Sequence, residues 1–239
     1  MNELSTVINN IDIETDLKID RKSVCSQLGY RDEVEPSARI ASLLDEYMVN
    51  AGNLIKPSYS CVIRDIELVL GPRVFIQGSG GLISNLIVFE SDAIARLLEQ
   101  CEKVAVFVLT IGSHLEDMVG WLANKGLIVE AYVLDAIGSG FAEKLADSVE
   151  SRIREVAGSQ GYCISRRFSP GHCDWDISQQ QGVFRAVGGD SVEVQLTDSY
   201  LMVPQKSISG IMGIGHCDGN LESHNPCQSC DKRSCLWRR

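Results

Sequence analysis

Residues 103–111 read KVAVFVLTI, an unbroken apolar run rich in β-branched side chains. A run with no polar face predicts a strand buried on both sides, with helices above and below it. Before it, Glu90, Ser91 and Asp92 start a helix that carries Ile94, Leu97 and Leu98 on one side. Ser91 and Asp92 are N-cap types, and acids suit the first turn of a helix dipole. After it, Gly112-Ser113 turns the chain into a helix holding Leu115, Met118, Val119 and Leu122. Residues 127–156 then read as one long helix with a stripe of Leu134, Phe141, Leu145, Val149 and Ile153. Gly138 and Gly140 within it permit close approach of a neighbour.

Working outward, Asp20 precedes a helical stretch ended by Gly29, and Pro36-Ser37 opens a second helix. Residues 62–70 and 74–76 are strand-like around a Gly71-Pro72 turn. Residues 77–81 (QGSGG) lack the Lys-Ser/Thr ending of a phosphate loop and read as a glycine loop. Late in the chain, residues 163–168 are extended, Ser169-Pro170-Gly171 is a turn, and Asp176 caps a helix through Val187. Residues 192–202 alternate like a strand, and 207–214 make another that Gly210, Gly213 and Gly215 loosen. This order predicts one α+β domain, a mixed or antiparallel twisted sheet flanked by helices, without Rossmann alternation. The expected division is a loose arm at 1–17, the domain at 18–215 and a Cys-rich tail at 216–239.

The 239 residues suffice for a substantial core. Lys and Arg number 22 against 32 Asp and Glu, a net charge of −10, which repels phosphate backbones and argues against nucleic acid. No apolar run approaches the ~20 residues that span a bilayer, and residues 1–20 lack a signal-peptide core. A cytoplasmic protein with no membrane partner is expected. Of nine cysteines, Cys25, Cys61, Cys101, Cys163 and Cys173 are scattered and read as small buried hydrophobes. An odd total without a secretory signal argues against a disulfide framework.

Two segments carry candidate chemistry. In the first, Arg167-Phe168-Ser169-Pro170-Gly171-His172, Pro170 fixes φ and Gly171 allows it to be positive, so backbone groups can face a flat ligand. Arg167 can fork onto a carboxylate or phosphate. The second runs from Leu196 to Gly210 and reads as an edge strand and a tight loop. It contains Leu196, Thr197, Ser199, Met202, Pro204, Ser207, Ser209 and Gly210 in a spaced pattern.

Together the segments resemble the activation domain of cobalamin-dependent methionine synthase and its stand-alone relatives. That family carries Arg-x-x-Pro-Gly-Tyr and, later, Leu-Thr-x-Ser-x-x-Met-x-Pro-x-x-Ser-x-Ser-Gly. His172 stands where the family has tyrosine, and the stretch after Gly210 lacks the family's aromatics. The resemblance implies a methionine synthase activation domain-like fold that binds S-adenosylmethionine. It implies docking on a cobalamin-binding methyltransferase and help in returning Co(II) cobalamin to methylcobalamin. By motif, Arg167 would hold the ligand carboxylate, Asp135 its amino group, and Ser169, Gly171 and His172 its nucleoside. A partner would carry the cobalamin, and a flavodoxin or ferredoxin would be the electron donor. Whether the chain is itself an enzyme stays open. A docking module without S-adenosylmethionine chemistry and an unrelated zinc-stabilised binding protein are the alternatives.

The tail holds Cys217, Cys227, Cys230 and Cys235. A Cys-x-x-Cys hook with two further thiolates suits a tetrahedral metal site. A [4Fe-4S] cluster, structural zinc and free or redox thiols all fit. The cluster leads because reductive methylation needs a low-potential electron.

Overall fold

The computed structural model describes residues 17–30, 34–78, 85–188, 192–217 and 221. Residues 1–16, most of the Gly loop at 77–81, and Cys227, Cys230 and Cys235 lie outside them. The helices α1 (Arg21–Gln27) and α2 (Ala38–Asn50) lead into strands β1 (Ser58–Leu70), β2 (Arg73–Ile76) and β3 (Ile87–Glu90). Then come α3 (Asp92–Leu98), β4 (Lys103–Thr110), α4 (His114–Asn124) and the long α5 (Ile128–Gly158). The chain closes with β5 (Tyr162–Ile164), α6 (Gln180–Val187), short β6 (Gln195–Leu196) and β7 (Met202–Val203), and β8 (Ser207–His216).

Six strands form one sheet in the order β3-β2-β1-β4-β8-β5, with every neighbouring pair antiparallel. β1 pairs with β4 through its first half and with β2 through its second, past an irregularity between Ile66 and Leu68. One long strand thus serves two ladders and curls the sheet.

β4 shows why KVAVFVLTI has no polar face. Ala105, Phe107 and Leu109 point into a core with Leu44, Leu115, Leu134, Phe141 and Leu145. Val104, Val106 and Val108 point into a second core with Ile94, Leu97, Trp175, Val183 and Ala186. The two-residue period of a strand sends alternate side chains to opposite layers, and both layers are apolar. Burying each such side chain contributes about 1.5–3 kcal/mol. Leu17, at the end of the expected arm, also joins the first core at 8% exposure.

Local signals at several ends hold. Asp20 accepts from the Ser23 amide to cap α1, and Gly29 beyond it has φ +88°. Ser91 caps α3 through the Ile94 amide at 3.1 Å. Asp176 caps a 3₁₀ turn that leads into α6, accepting from the Ser178 amide.

Two expectations near the end of the chain fail. Residues 192–202 are not one strand. Only β6 and β7 are extended, and between them the Tyr200 amide donates to Thr197 O at 2.9 Å. Asp198 and Ser199 at the tip are turn formers, so the alternation there belongs to a hairpin. Nor is the segment through Gly210 an edge. β8 lies between β4 and β5, almost wholly buried. Its glycines admit neighbours rather than loosen it. A Cβ on Gly210 would meet Phe168 O at 2.4 Å, one on Gly213 would meet Cys101 Sγ at 2.5 Å, and one on Gly215 would meet Gln100 O at 2.6 Å.

Candidate functional site

β8 is the wall on which the candidate site is built. From β5, the chain runs antiparallel to β8, swings out at 165–167, and returns at Phe168. Ser165 covers the swing: its amide donates to Gly213 O at 2.9 Å, and its Oγ accepts from the Gly213 amide at 2.8 Å. Phe168 and Ile211 then exchange two backbone hydrogen bonds, of 3.0 and 2.8 Å. The bend and the second motif therefore lie side by side, in contact at Gly210. Gln180 of α6 also ties that motif together. Its Oε1 accepts from Ser209 Oγ at 2.7 Å, and its Nε2 donates to Tyr200 O.

The bend closes on itself. The His172 amide donates to Ser169 O at 3.1 Å, and the Gly171 amide donates to Trp175 O at 2.7 Å. Gly171 has φ +94°, a conformation that favours glycine. The Ser169 amide points at His172 Nδ1 from 3.4 Å, and the His172 ring stands edge-on to Phe168. His172, though exposed, thus faces the turn it belongs to.

Arg167 leaves the bend toward α5. Its Nη2 donates to Asp147 Oδ1 at 2.6 Å and lies 3.6 Å from Glu143 Oε2, while Nε reaches Glu150 Oε2 at 2.9 Å. Its side chain is only 19% exposed. Asp135 is held elsewhere on α5, by Lys206 Nζ at 2.8 Å, and the same ammonium donates to Ser139 Oγ at 2.9 Å. Asp135, Ser139, Glu143, Asp147 and Glu150 recur every three or four residues, so they form one polar stripe along the helix. Asp135 and Asp147 are 12 residues apart in α5, or roughly 18 Å at 1.5 Å per residue. The amino and carboxylate groups of an amino acid hang from a single carbon. The structure therefore does not bring Arg167 and Asp135 together around one such group.

Lys206 and the acidic stripe are the groups the motif reading missed. The three- and four-residue recurrence of acids in the long helix was the available signal. Asp174 lies just after the turn. It accepts from Ser91 Oγ at 2.8 Å and from the Asp92 and Ala93 amides at 2.6 and 3.2 Å, tying the bend's exit to the start of α3. Burial raises its pKa, but these donors win and hold it below the ordinary carboxylate value. Trp175 belongs to the core. It is 1% exposed, sits edge-on to Phe89 and donates through Nε1 to Gln179.

The cysteines correct two expectations. Cys163 and Cys217 are disulfide-bonded, with Cα atoms 5.0 Å apart. The cause is register: Cys163 pairs with Gly215 and Tyr162 with His216, which leaves Cys217 beside Cys163. A disulfide sulfur carries no thiolate to give a metal, so Cys217 does not serve as a metal ligand in this state. Among the described residues no group of three or more His, Cys, Asp or Glu side chains could hold a metal ion. Nor, among them, is any helix long and apolar enough to cross a membrane. Cys61 and Cys101 are free thiols that burial pushes up to about 12.

No family model matches the chain, and no curated protein matches it. Among solved structures, the crystal structure of the MetH reactivation domain bound to AdoHcy is similar. The TM-score is 0.64 at 12% identity, over 90% of this chain and 79% of that one. The chain has the reactivation-domain fold.

Proposed function

We propose that this chain is a reactivation module for a corrinoid-dependent methyltransferase, most simply a cobalamin-dependent methionine synthase. On this reading it binds S-adenosylmethionine along the bend at 167–172. One observation carries the reading: in a fold whose solved example binds AdoHcy, the Arg167–Gly171 motif and the Ser207–Gly210 motif meet through the Phe168–Ile211 pair. The ligand's carboxylate would take Arg167 from the stripe, and the freed Glu143 or Asp147 would receive its ammonium. A zwitterion inserted in this way gives Arg167 a new carboxylate and one freed acid an ammonium, in exchange for Arg167 contacts to the stripe. Asp135, engaged by Lys206, is replaced in the amino-group role by these nearer acids. Backbone groups around Ser169, Gly171 and His172 would meet the nucleoside.

The partner would bring the cobalamin. One electron from a flavodoxin- or ferredoxin-type donor and one methyl group from the sulfonium would convert Co(II) to methyl-Co(III), leaving S-adenosylhomocysteine. Calorimetry with S-adenosylmethionine on wild type and Arg167→Ala tests the binding step. Wild type should release heat with one-to-one stoichiometry, and the variant should bind at least tenfold more weakly.

A second reading is favoured by Arg167 and Asp135 already having internal partners: a docking module without nucleotide chemistry. It predicts no heat from the nucleotide but capture of a cobalamin-loaded methyltransferase domain.

A further inference from the structure

We propose that Cys163–Cys217 is a thiol-exchange site, a reducible clamp through which a dithiol sets the position of the Arg167–His172 bend. The disulfide joins the middle of a three-residue edge strand to the residue just past the end of β8. β5 has only three paired positions on β8: Tyr162 with His216, Cys163 with Gly215, and Ile164 with Ile214. So short a ladder at a sheet edge is weak alone, and the covalent link adds to what the buried Ile164 and the Ser165–Gly213 bonds hold. The bend begins four residues beyond Cys163, with the Ser165–Gly213 bonds between the clamp and the motif.

The sulfurs are placed for exchange. Cys217 is exposed and Cys163 half-buried; burial raises the thiol pKa of Cys61 and Cys101, and Cys25 and Cys173 are half-buried free thiols. Opening should loosen the edge without unfolding it. The Tyr162 ring stacks on His216 at 5.2 Å, and His216 Nε2 and Tyr162 Oη both reach the Glu102 carboxylate, at 2.8 and 3.3 Å. The Phe168–Ile211 bonds lie beyond the clamp and hold the far end.

The exchange balances. A thiolate of the incoming dithiol attacks one sulfur, the Cys163–Cys217 bond breaks, and a mixed disulfide forms. The dithiol's second thiol displaces the protein sulfur. Two electrons and two protons pass to Cys163 and Cys217, and the dithiol leaves as its own disulfide.

The test is hydrogen–deuterium exchange of the full chain, oxidised and then reduced with dithiothreitol, with non-reducing peptide mapping of the oxidised form. Mapping should recover one cross-linked pair containing Cys163 and Cys217. Reduction should speed exchange at residues 162–168 about tenfold and leave residues 133–150 of α5 unchanged. Cys163→Ser should exchange fast with or without the reductant. Equal exchange in both redox states of the wild type, or Cys217 cross-linked to a different cysteine, overturns the proposal. No adenosyl ligand is involved, so this result is independent of the proposed function.

Discussion

Gly210→Ala probes the joint between the two motifs directly. Gly210 does not have a positive φ, so backbone strain contributes nothing and contact alone decides the cost. The new methyl would lie 2.4 Å from Phe168 O, 3.0 Å from Phe107 Cζ and 3.1 Å from Ser169 Oγ. A side chain can swing aside, but the carbonyl cannot leave without taking the bend with it. The two Phe168–Ile211 hydrogen bonds would stretch, at about 1 kcal/mol each. Crowding in a close-packed core adds about 1–3 kcal/mol. The expected loss is about 3–5 kcal/mol, or a Tm lower by roughly 6–20 °C for a chain of this size. Calorimetric melting and urea unfolding should both show it. Gly120→Ala on the exposed face of α4 is the matched control, because a Cβ there meets nothing within 4 Å. That change should be stabilising, by up to about 1 kcal/mol of helix propensity. A Gly210→Ala protein within about 0.5 kcal/mol of wild type, below the scale of even one lost hydrogen bond, would refute the claim that the bend is seated on β8 at this point.

Other outcomes follow from single residues. Asp174→Asn should cost about 1 kcal/mol at neutral pH, the scale of a lost helix cap. The Asp174 pKa is held low in the folded state, so its stabilisation is full above the ordinary carboxylate pKa and fades as pH falls through the folded value. Wild-type melting should therefore decline more steeply below about pH 4 than that of the variant, a difference thermal scans across pH 2–7 will measure. Cys163→Ser removes a link closing a 54-residue separation, worth about 4 kcal/mol at most by chain entropy, and urea unfolding of the oxidised protein should show the loss. Trp175→Ala should cost about 3–5 kcal/mol in the same assay, since the residue fills the core beside Phe89.

What the sequence made legible was whatever depended on neighbours in the chain. KVAVFVLTI revealed a doubly covered strand because both of its faces are apolar. Asp20, Ser91 and Asp176 revealed helix starts because a cap bonds amides two or three residues on. Closeness across the sheet was less legible. Gly210, Gly213 and Gly215 looked like weak points because the atoms they admit come from residues 40 to over 100 positions away. The disulfide was hidden for the same reason, since only the β5–β8 register brings Cys163 to Cys217. At the site, the motifs marked the two segments that the structure seats side by side at Phe168 and Ile211. They did not reveal that Arg167 and Asp135 engage different turns of one helix, because that depends on how β5 and β8 sit over α5.

The most direct test of the account is an amide chemical-shift map of the isotopically labelled protein titrated with S-adenosylmethionine and S-adenosylhomocysteine. The account predicts saturable shifts concentrated at Phe168, Ser169, Gly171, His172 and Gly210, with the Arg167 side-chain signal moving as it leaves the α5 acids. A spectrum unchanged by saturating amounts of both ligands, or shifts confined to a different face of the sheet, would contradict it.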